Sequence, residues 1–411
     1  MSSLSYRVSA LALALALSGC DAAAPMEDAG ADGGVDAGRD AAVVERDAGT
    51  PPADFDGFVE WQMDYGGIPG LALAILTPDE IVRVSTYGYA DIESGRLVDE
   101  HTLFVMASIS KTIATVRAMQ LVEAGQLDLD APAGDALGYP LPHPGYPATP
   151  VTARELLCHV SGLEDDFPTL AMVTYTEDPP ITLDEFTRGY AVEGGAYYSP
   201  GHWNEPPGAQ KSYANAGFGV IGAILEGAGG ASFREQTRVG LFEPLALDGA
   251  GWFLADIDLG RVATPYGYNA RSRAFTALPQ NGFAFYPASS LRISISGLSR
   301  FAQMVLRGGE LDGTRVLEES SVQEMLRTQY PSASRGQALG FYHQRYAGHD
   351  FIGHSGTTYG GSNQMLLAVE GTHALIVITN SDAHVRSLVP ALAQGEEAID
   401  AILVRMDEEI R

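Results

Sequence analysis

Six consecutive apolar residues, Leu71 to Leu76, are followed by Thr77-Pro78-Asp79-Glu80 and then by the partly alternating stretch Ile81 to Tyr89. Proline favours the second position of a β-turn, and alternation at period two marks a strand, so this pattern predicts a hairpin. The period changes over Ser108 to Glu123. Small or apolar residues fall at Ile113, Val116, Met119 and Val122, the spacing of one helix face. Gly125 sits just past the end, where a helix stop is expected. Between Asp130 and Gln280 short helical patterns, such as Thr152 to Cys158 and Ala216 to Glu226, alternate with Pro- and Gly-rich loops. Strand-like runs return at Gln364 to Val369 and His373 to Thr379, joined by Glu370-Gly371-Thr372, and Val385 to Arg411 reads as a terminal helix. Strands at both ends around a helical middle predict an α/β (α+β) fold. One sheet draws on the N- and C-terminal segments, and a mostly helical lobe is inserted between them with a cleft at the junction.

The first 56 residues follow another pattern. Met1 to Arg7 is short and polar with one positive charge, and Ala10 to Leu17 is an apolar run far too short to span a bilayer. These are the proportions of a signal peptide. The run ends Leu17-Ser18-Gly19-Cys20, which resembles a bacterial lipobox, so residues 1–20 are expected to be a lipoprotein signal with Cys20 as the lipidated residue. That implies export and anchoring to a bacterial membrane, on its periplasmic or cell-surface side. Residues 21–56 carry ten acids against two arginines and almost no large apolar side chains. Such a segment cannot bury enough surface to fold and reads as a disordered acidic linker. The globular domain is expected over 57–411.

Charge and composition narrow the partners. The chain of 411 residues has a formal net charge of −27, which opposes nucleic-acid binding. Two of its 25 basic residues are lysines, Lys111 and Lys211; the rest are arginines. Arginine stays protonated in proteins whereas lysine can lose its proton, so a site that needs a neutral amine must keep lysine. Cys20 and Cys158 make no disulfide framework and no metal-ligand spacing, and Cys158 reads as a buried structural thiol.

Three short motifs carry chemistry. In Ser108-Ile109-Ser110-Lys111, residues three apart share a helix face, so the amine can reach the Ser108 hydroxyl. Serine is a weak nucleophile that needs a base, and burial or a helix N-terminus disfavours the lysine charge. In Tyr213-Ala214-Asn215, a tyrosine can move protons and an asparagine offers donor and acceptor to a substrate amide. In His354-Ser355-Gly356-Thr357, glycine permits close approach of a substrate to the backbone. The N–H of Thr357, paired with that of Ser108, could form an oxyanion hole.

In this order the three resemble the motifs of the serine β-lactamase and penicillin-binding protein family, in the branch with Tyr-x-Asn as second motif. That branch includes class C β-lactamases, D-alanyl-D-alanine carboxypeptidases, D-aminopeptidases and esterases. The likeness extends to Pro69-Gly70-Leu71, Tyr87 to Asp91, Thr152 to Leu163, Phe242 to Leu245 and Tyr286-Pro287-Ala288, over roughly Gly57 to Asn380. It implies a β-lactamase-like fold and an acyl-enzyme on Ser108, with Lys111 and Tyr213 managing protons. It further implies Asn215 on the substrate amide, His354, Ser355, Gly356 and Thr357 as the wall that aligns the substrate, and no metal or organic cofactor. His159 is read as structural.

The third motif departs from the Lys-Thr-Gly of penicillin-inactivating enzymes. A histidine is only partly charged near pH 7, which weakens pairing with a substrate carboxylate. The expectation is a hydrolase of esters or amides, of esterase or D-amino-acid peptidase type, acting on a small ester, peptide or peptidoglycan-like substrate. A class C-like β-lactamase and a non-catalytic peptidoglycan sensor or scaffold are the alternatives. The chain has no Gly-x-Ser-x-Gly and no His-Glu-x-x-His, which disfavours an α/β-hydrolase and a zinc hydrolase.

Overall fold

The computed structural model describes residues 50–387 and 393–411, so the expected signal peptide, Cys20 and most of the linker lie outside the described residues. Helix α1 (Phe55–Gly66) starts two residues before the expected domain boundary at 57. Its N-cap explains the difference: the Asp54 carboxylate accepts the Gly57 N–H at 2.8 Å, and Phe55 is buried. Strands β1 (Gly70–Leu76) and β2 (Ile81–Asp91) form the expected antiparallel hairpin, and β3 (Arg96–Leu97) follows it. The helical middle contains α2 (Ser110–Glu123), α3 (Ala153–Leu157), α4 (Asn215–Gly229) and α5 (Ile295–Leu306). Strands β4 (Tyr342–Tyr346), β5 (His349–Thr358), β6 (Gly361–Ala368) and β7 (Ala374–Thr379) come next. The chain closes with α6 (Ala383–Ser387) and α7 (Gln394–Ile410). Within the span Val385–Arg411 read as one terminal helix, the described residues form the end of α6 and the whole of α7.

The seven strands form one antiparallel sheet in the order β4-β5-β6-β7-β1-β2-β3. Its centre joins the two ends of the chain: β1 pairs with β7, Leu71 opposite Thr379 and Leu76 opposite Ala374. The uninterrupted apolar run of β1 follows from that place. Ala72, Ala74 and Leu76 enter the core shared with the helical lobe, and Leu71, Leu73 and Ile75 enter the core closed by α1 and α7. A strand covered on both faces has no position for a polar residue. On the lobe side Ile113 and Val116 of α2, Leu156 of α3, and Phe218 and Ile221 of α4 share one apolar cluster. This packing fixes α2 and α4 against each other and against the sheet, and the three motifs meet where they join.

Candidate active site

Ser108 lies in a single 3-10 turn, Ala107–Ile109, that leads into α2. The chain arrives from Phe104–Val105, which pairs with Arg292–Ile293. It turns at Ala107, whose φ of 48° is left-handed, a conformation that costs a residue with a Cβ about 1–2 kcal/mol. Neighbours hold the turn from two sides. The Met106 N–H donates to the Leu291 carbonyl at 2.8 Å, and the Leu291 N–H donates to Ser110 Oγ at 3.1 Å. Asn363 of β6 donates through Nδ2 to the Val105 carbonyl at 2.9 Å. Strain kept in place by surrounding structure is common where a side chain must be aimed.

Lys111, one turn on, is completely buried. Its Nζ is 3.1 Å from Ser108 Oγ, 2.8 Å from Asn215 Oδ1 and 2.9 Å from the Ala288 carbonyl oxygen. Two of these partners are carbonyl oxygens, which only accept. A neutral amine has two N–H groups for them and one lone pair, which then faces the serine hydroxyl; an ammonium donates to all three. The same cradle therefore suits both protonation states, and a proton can pass from Oγ to Nζ without rearrangement.

Tyr213 approaches from the lobe. Its hydroxyl donates to Ser108 Oγ at 2.9 Å, and its ring lies beneath Lys111 with Nζ 4.8 Å from the centroid. His159 sets this ring. Its carbonyl accepts the Ser212 N–H at 2.8 Å, its Nδ1 accepts the Ala214 N–H at 3.1 Å, and its imidazole stacks on Tyr213 at 4.2 Å. Burial, followed by the charges of Lys111 and Lys211, holds the His159 pKa well below 6.5, so Nδ1 remains an acceptor. The residue read as structural is thus a positioning residue for Tyr213.

Asn215 is buried, with Oδ1 on Lys111 and Nδ2 donating to Asp165 at 2.8 Å. Asp165 also accepts the N–H groups of Asn215 and Ala216, so it caps α4 from a distant loop. Withdrawal from water raises its pKa, and its three N–H donors together with Lys111 oppose the rise. Lys111, Asn215 and Asp165 form one relay, and sequence reasoning did not single out Asp165. It lies in Glu164-Asp165-Asp166, where nothing separates one acid from its neighbours.

The third motif lies on β5, with Thr357 opposite Ser362 of β6. Gly356 has a packing purpose of its own: a Cβ there would overlap the Met106 carbonyl oxygen. Glycine lets the strand close on the turn that carries Ser108. Tyr342 of β4 donates its hydroxyl to Ser355 Oγ at 2.7 Å and accepts the Ser355 N–H at 3.0 Å. The Thr357 hydroxyl is 3.4 Å from His384 Nδ1 of α6.

His354 is buried, and its Nδ1 hydrogen bonds to the Ser355 carbonyl at 2.6 Å. Nδ1 therefore carries the proton and Nε2 is the acceptor. Burial, with Lys111 next, pushes its pKa down to about 3, so the expected partial charge near pH 7 is corrected to none. Below pH 6.5 the unfolded chain binds a proton that folded His354 refuses. Its contribution to stability is thus full above pH 6.5 and is lost as pH falls toward the folded value. Carboxylates with raised pKa, such as Asp400 at about 7, act in the opposite sense over the same window, so the readout must be a difference. The stability of wild type relative to His354→Gln is expected to fall by about 2 kcal/mol from pH 7 to pH 5 in urea melts. A constant difference would contradict a neutral His354.

Cys158 is buried, its thiol faces the Ala338 carbonyl and burial raises its pKa, as expected of a structural thiol. Among the described residues no group of three or more His, Cys, Asp or Glu is arranged to hold a metal ion.

The chain is similar to known proteins. The family model described as Beta-lactamase matches residues 55–396. Penicillin-binding protein 4 of Amycolatopsis lactamdurans is 29% identical over 62% of this chain and 64% of its own length. Esterase EstB of Burkholderia gladioli is 28% identical over 56% of this chain and 58% of its own. The chain thus spans less than two thirds of the length of these curated relatives. In fold it is similar to the D-amino acid amidase of Ochrobactrum anthropi SV3, with TM-score 0.68 and 22% identity over 87% of this chain and 99% of the amidase.

Proposed function

Since this chain belongs to the Beta-lactamase family, we propose that it is a serine hydrolase that cleaves an ester or amide through an acyl-enzyme on Ser108. One observation carries this reading: Ser108 Oγ is met at once by a lysine amine and a tyrosine hydroxyl, at 3.1 and 2.9 Å. Oγ accepts the Tyr213 proton and offers its own proton to Lys111 Nζ. As Oγ bonds to the substrate carbonyl carbon, that proton passes to Nζ. The carbonyl oxygen gains negative charge, which the N–H groups of Ser108 and Thr357 stabilise. Expulsion of the alcohol or amine takes a proton from Tyr213, and the Lys111 ammonium replaces it. Water then attacks the acyl-enzyme with the same groups in reverse roles. Asn215 and Asp165 hold Lys111 for these transfers.

Relatives bearing the names penicillin-binding protein, esterase and D-amino acid amidase support a small ester, a peptide or a peptidoglycan-like molecule as substrate. His354 is neutral, so the third motif itself offers a substrate carboxylate no counter-charge. The run Ala10–Leu17 followed by Leu17-Ser18-Gly19-Cys20 supports export and a lipid anchor on Cys20.

A fluorescent phosphonate, applied to membrane and soluble fractions of cells expressing the full chain, tests both parts. A labelled band in the membrane fraction is expected. A band confined to the soluble fraction would remove the anchor. No band anywhere, with no hydrolysis of a short-chain p-nitrophenyl ester, would remove the hydrolase.

A further inference from the structure

Both lysines of the chain stand at this site, and the proton transfers use only Lys111. Lys211 precedes Tyr213 by two residues, in a segment without helix or strand that is extended at Ala214 (φ −134°, ψ 114°). Its side chain is half-buried, and Nζ lies 6.0 Å from the centroid of the Tyr342 ring. Tyr342 is the residue whose hydroxyl holds both the N–H and the Oγ of Ser355. Lys211 therefore places an ammonium beside the Ser355 end of the wall on β5. Its charge is felt inside the site: with Lys111 it depresses the pKa of both His354 and His159.

The wall itself offers no cation. His354 is neutral, and Ser355, Gly356 and Thr357 carry no charge. Around it is a chain of net charge −27, whose field repels anions. A half-buried ammonium is screened less than an exposed one and acts over a few ångströms as a point charge. We propose that Lys211 is an anion-recognition group of this site and selects esters or amides that carry a carboxylate, lodged beside Tyr342 and Ser355. The cation thus comes from the second motif's loop, while the third motif has none. This inference rests on the serine hydrolase reading above.

Two matched substrate pairs test it, one with the extra carboxylate on the leaving group and one with it on the acyl group. The first pair is phenyl butyrate and 3-carboxyphenyl butyrate; the second is p-nitrophenyl valerate and mono-p-nitrophenyl glutarate. The readout is the ratio of kcat/KM for the charged over the neutral member. In at least one pair Lys211→Gln is expected to lower that ratio tenfold or more, Lys211→Arg to keep it within about threefold of wild type, and 0.5 M salt to shrink it in wild type. An equal ratio for wild type and Lys211→Gln in both pairs overturns the proposal. Should Lys211→Gln not fold, a wild-type ratio that is insensitive to salt in both pairs overturns it equally. Neither result touches the hydrolase reading, which falls only if wild type cleaves none of the four esters and resists the phosphonate.

Discussion

Lys111→Arg is expected to lower kcat/KM for a p-nitrophenyl ester by at least about a thousandfold, which corresponds to about 4 kcal/mol of transition-state stabilisation. The argument begins with the cradle around Nζ. Two carbonyl oxygens and one hydroxyl surround a fully buried amine, and the hydroxyl is that of Ser108. Arginine keeps a positive charge and can donate to all three, but it has no lone pair with which to take the serine proton. Its guanidinium is also larger than the space that an ammonium fills. Lys111→Met supplies the complementary case, with neither charge nor base in nearly the same volume, and is expected to be equally inactive. Phosphonate labelling should fail in both variants, as in Ser108→Ala, while circular dichroism reports whether each has folded. A folded Lys111→Arg variant with near wild-type turnover would show that Tyr213 alone takes the proton.

Gly356→Ala is expected to lower kcat/KM about a hundredfold although no reacting group is touched. A Cβ at position 356 would overlap the Met106 carbonyl oxygen, so either β5 retreats or the turn carrying Ser108 shifts. Either movement separates the Thr357 N–H from Ser108, and misplacement by about 1 Å can cost two orders of magnitude in rate. Overpacking of this kind also costs about 1–3 kcal/mol of stability, which a lower melting temperature would report. Gly201→Ala is the matching control: a Cβ there meets only Ser199 Oγ, at 3.6 Å, and neither activity nor melting temperature is expected to change. Full activity in Gly356→Ala would mean that this close approach does not set the distance between the wall and the nucleophile.

Much of this architecture was legible in the residues. The run Leu71 to Leu76 and the pair of late strands announced a sheet drawn from both ends of the chain, because burial on two faces removes polar positions from a strand. The Ser108–Lys111 spacing translated directly into a short Oγ to Nζ distance, since the 3-10 turn runs straight into α2 and one turn separates the two residues. What sequence could not supply were contacts between distant segments. Asp165 meets Asn215 only because two lobe segments pack side by side. The Ala288 carbonyl is a backbone group, and every residue has one. Gly356 and His159 were visible as residues but not by purpose: one faces Met106 and the other faces Tyr213, both remote in the chain. The acidity of His354 depends on burial, which no local pattern around it encodes.

The pairing of β1 with β7 also has a consequence in time. Leu71 and Thr379 lie some 300 residues apart, and the wall containing Thr357 hangs from the same late strands. A chain made from its N-terminus has Ser108, Lys111 and Tyr213 long before the strands that face them exist. Contacts of such separation form slowly, after large loops have closed. The incomplete chain therefore holds Ser108 and Lys111 without the β5 wall that faces them. On the hydrolase reading proposed above, a chain truncated before β4 is expected to show no ester hydrolysis, because the strands that face Ser108 are missing.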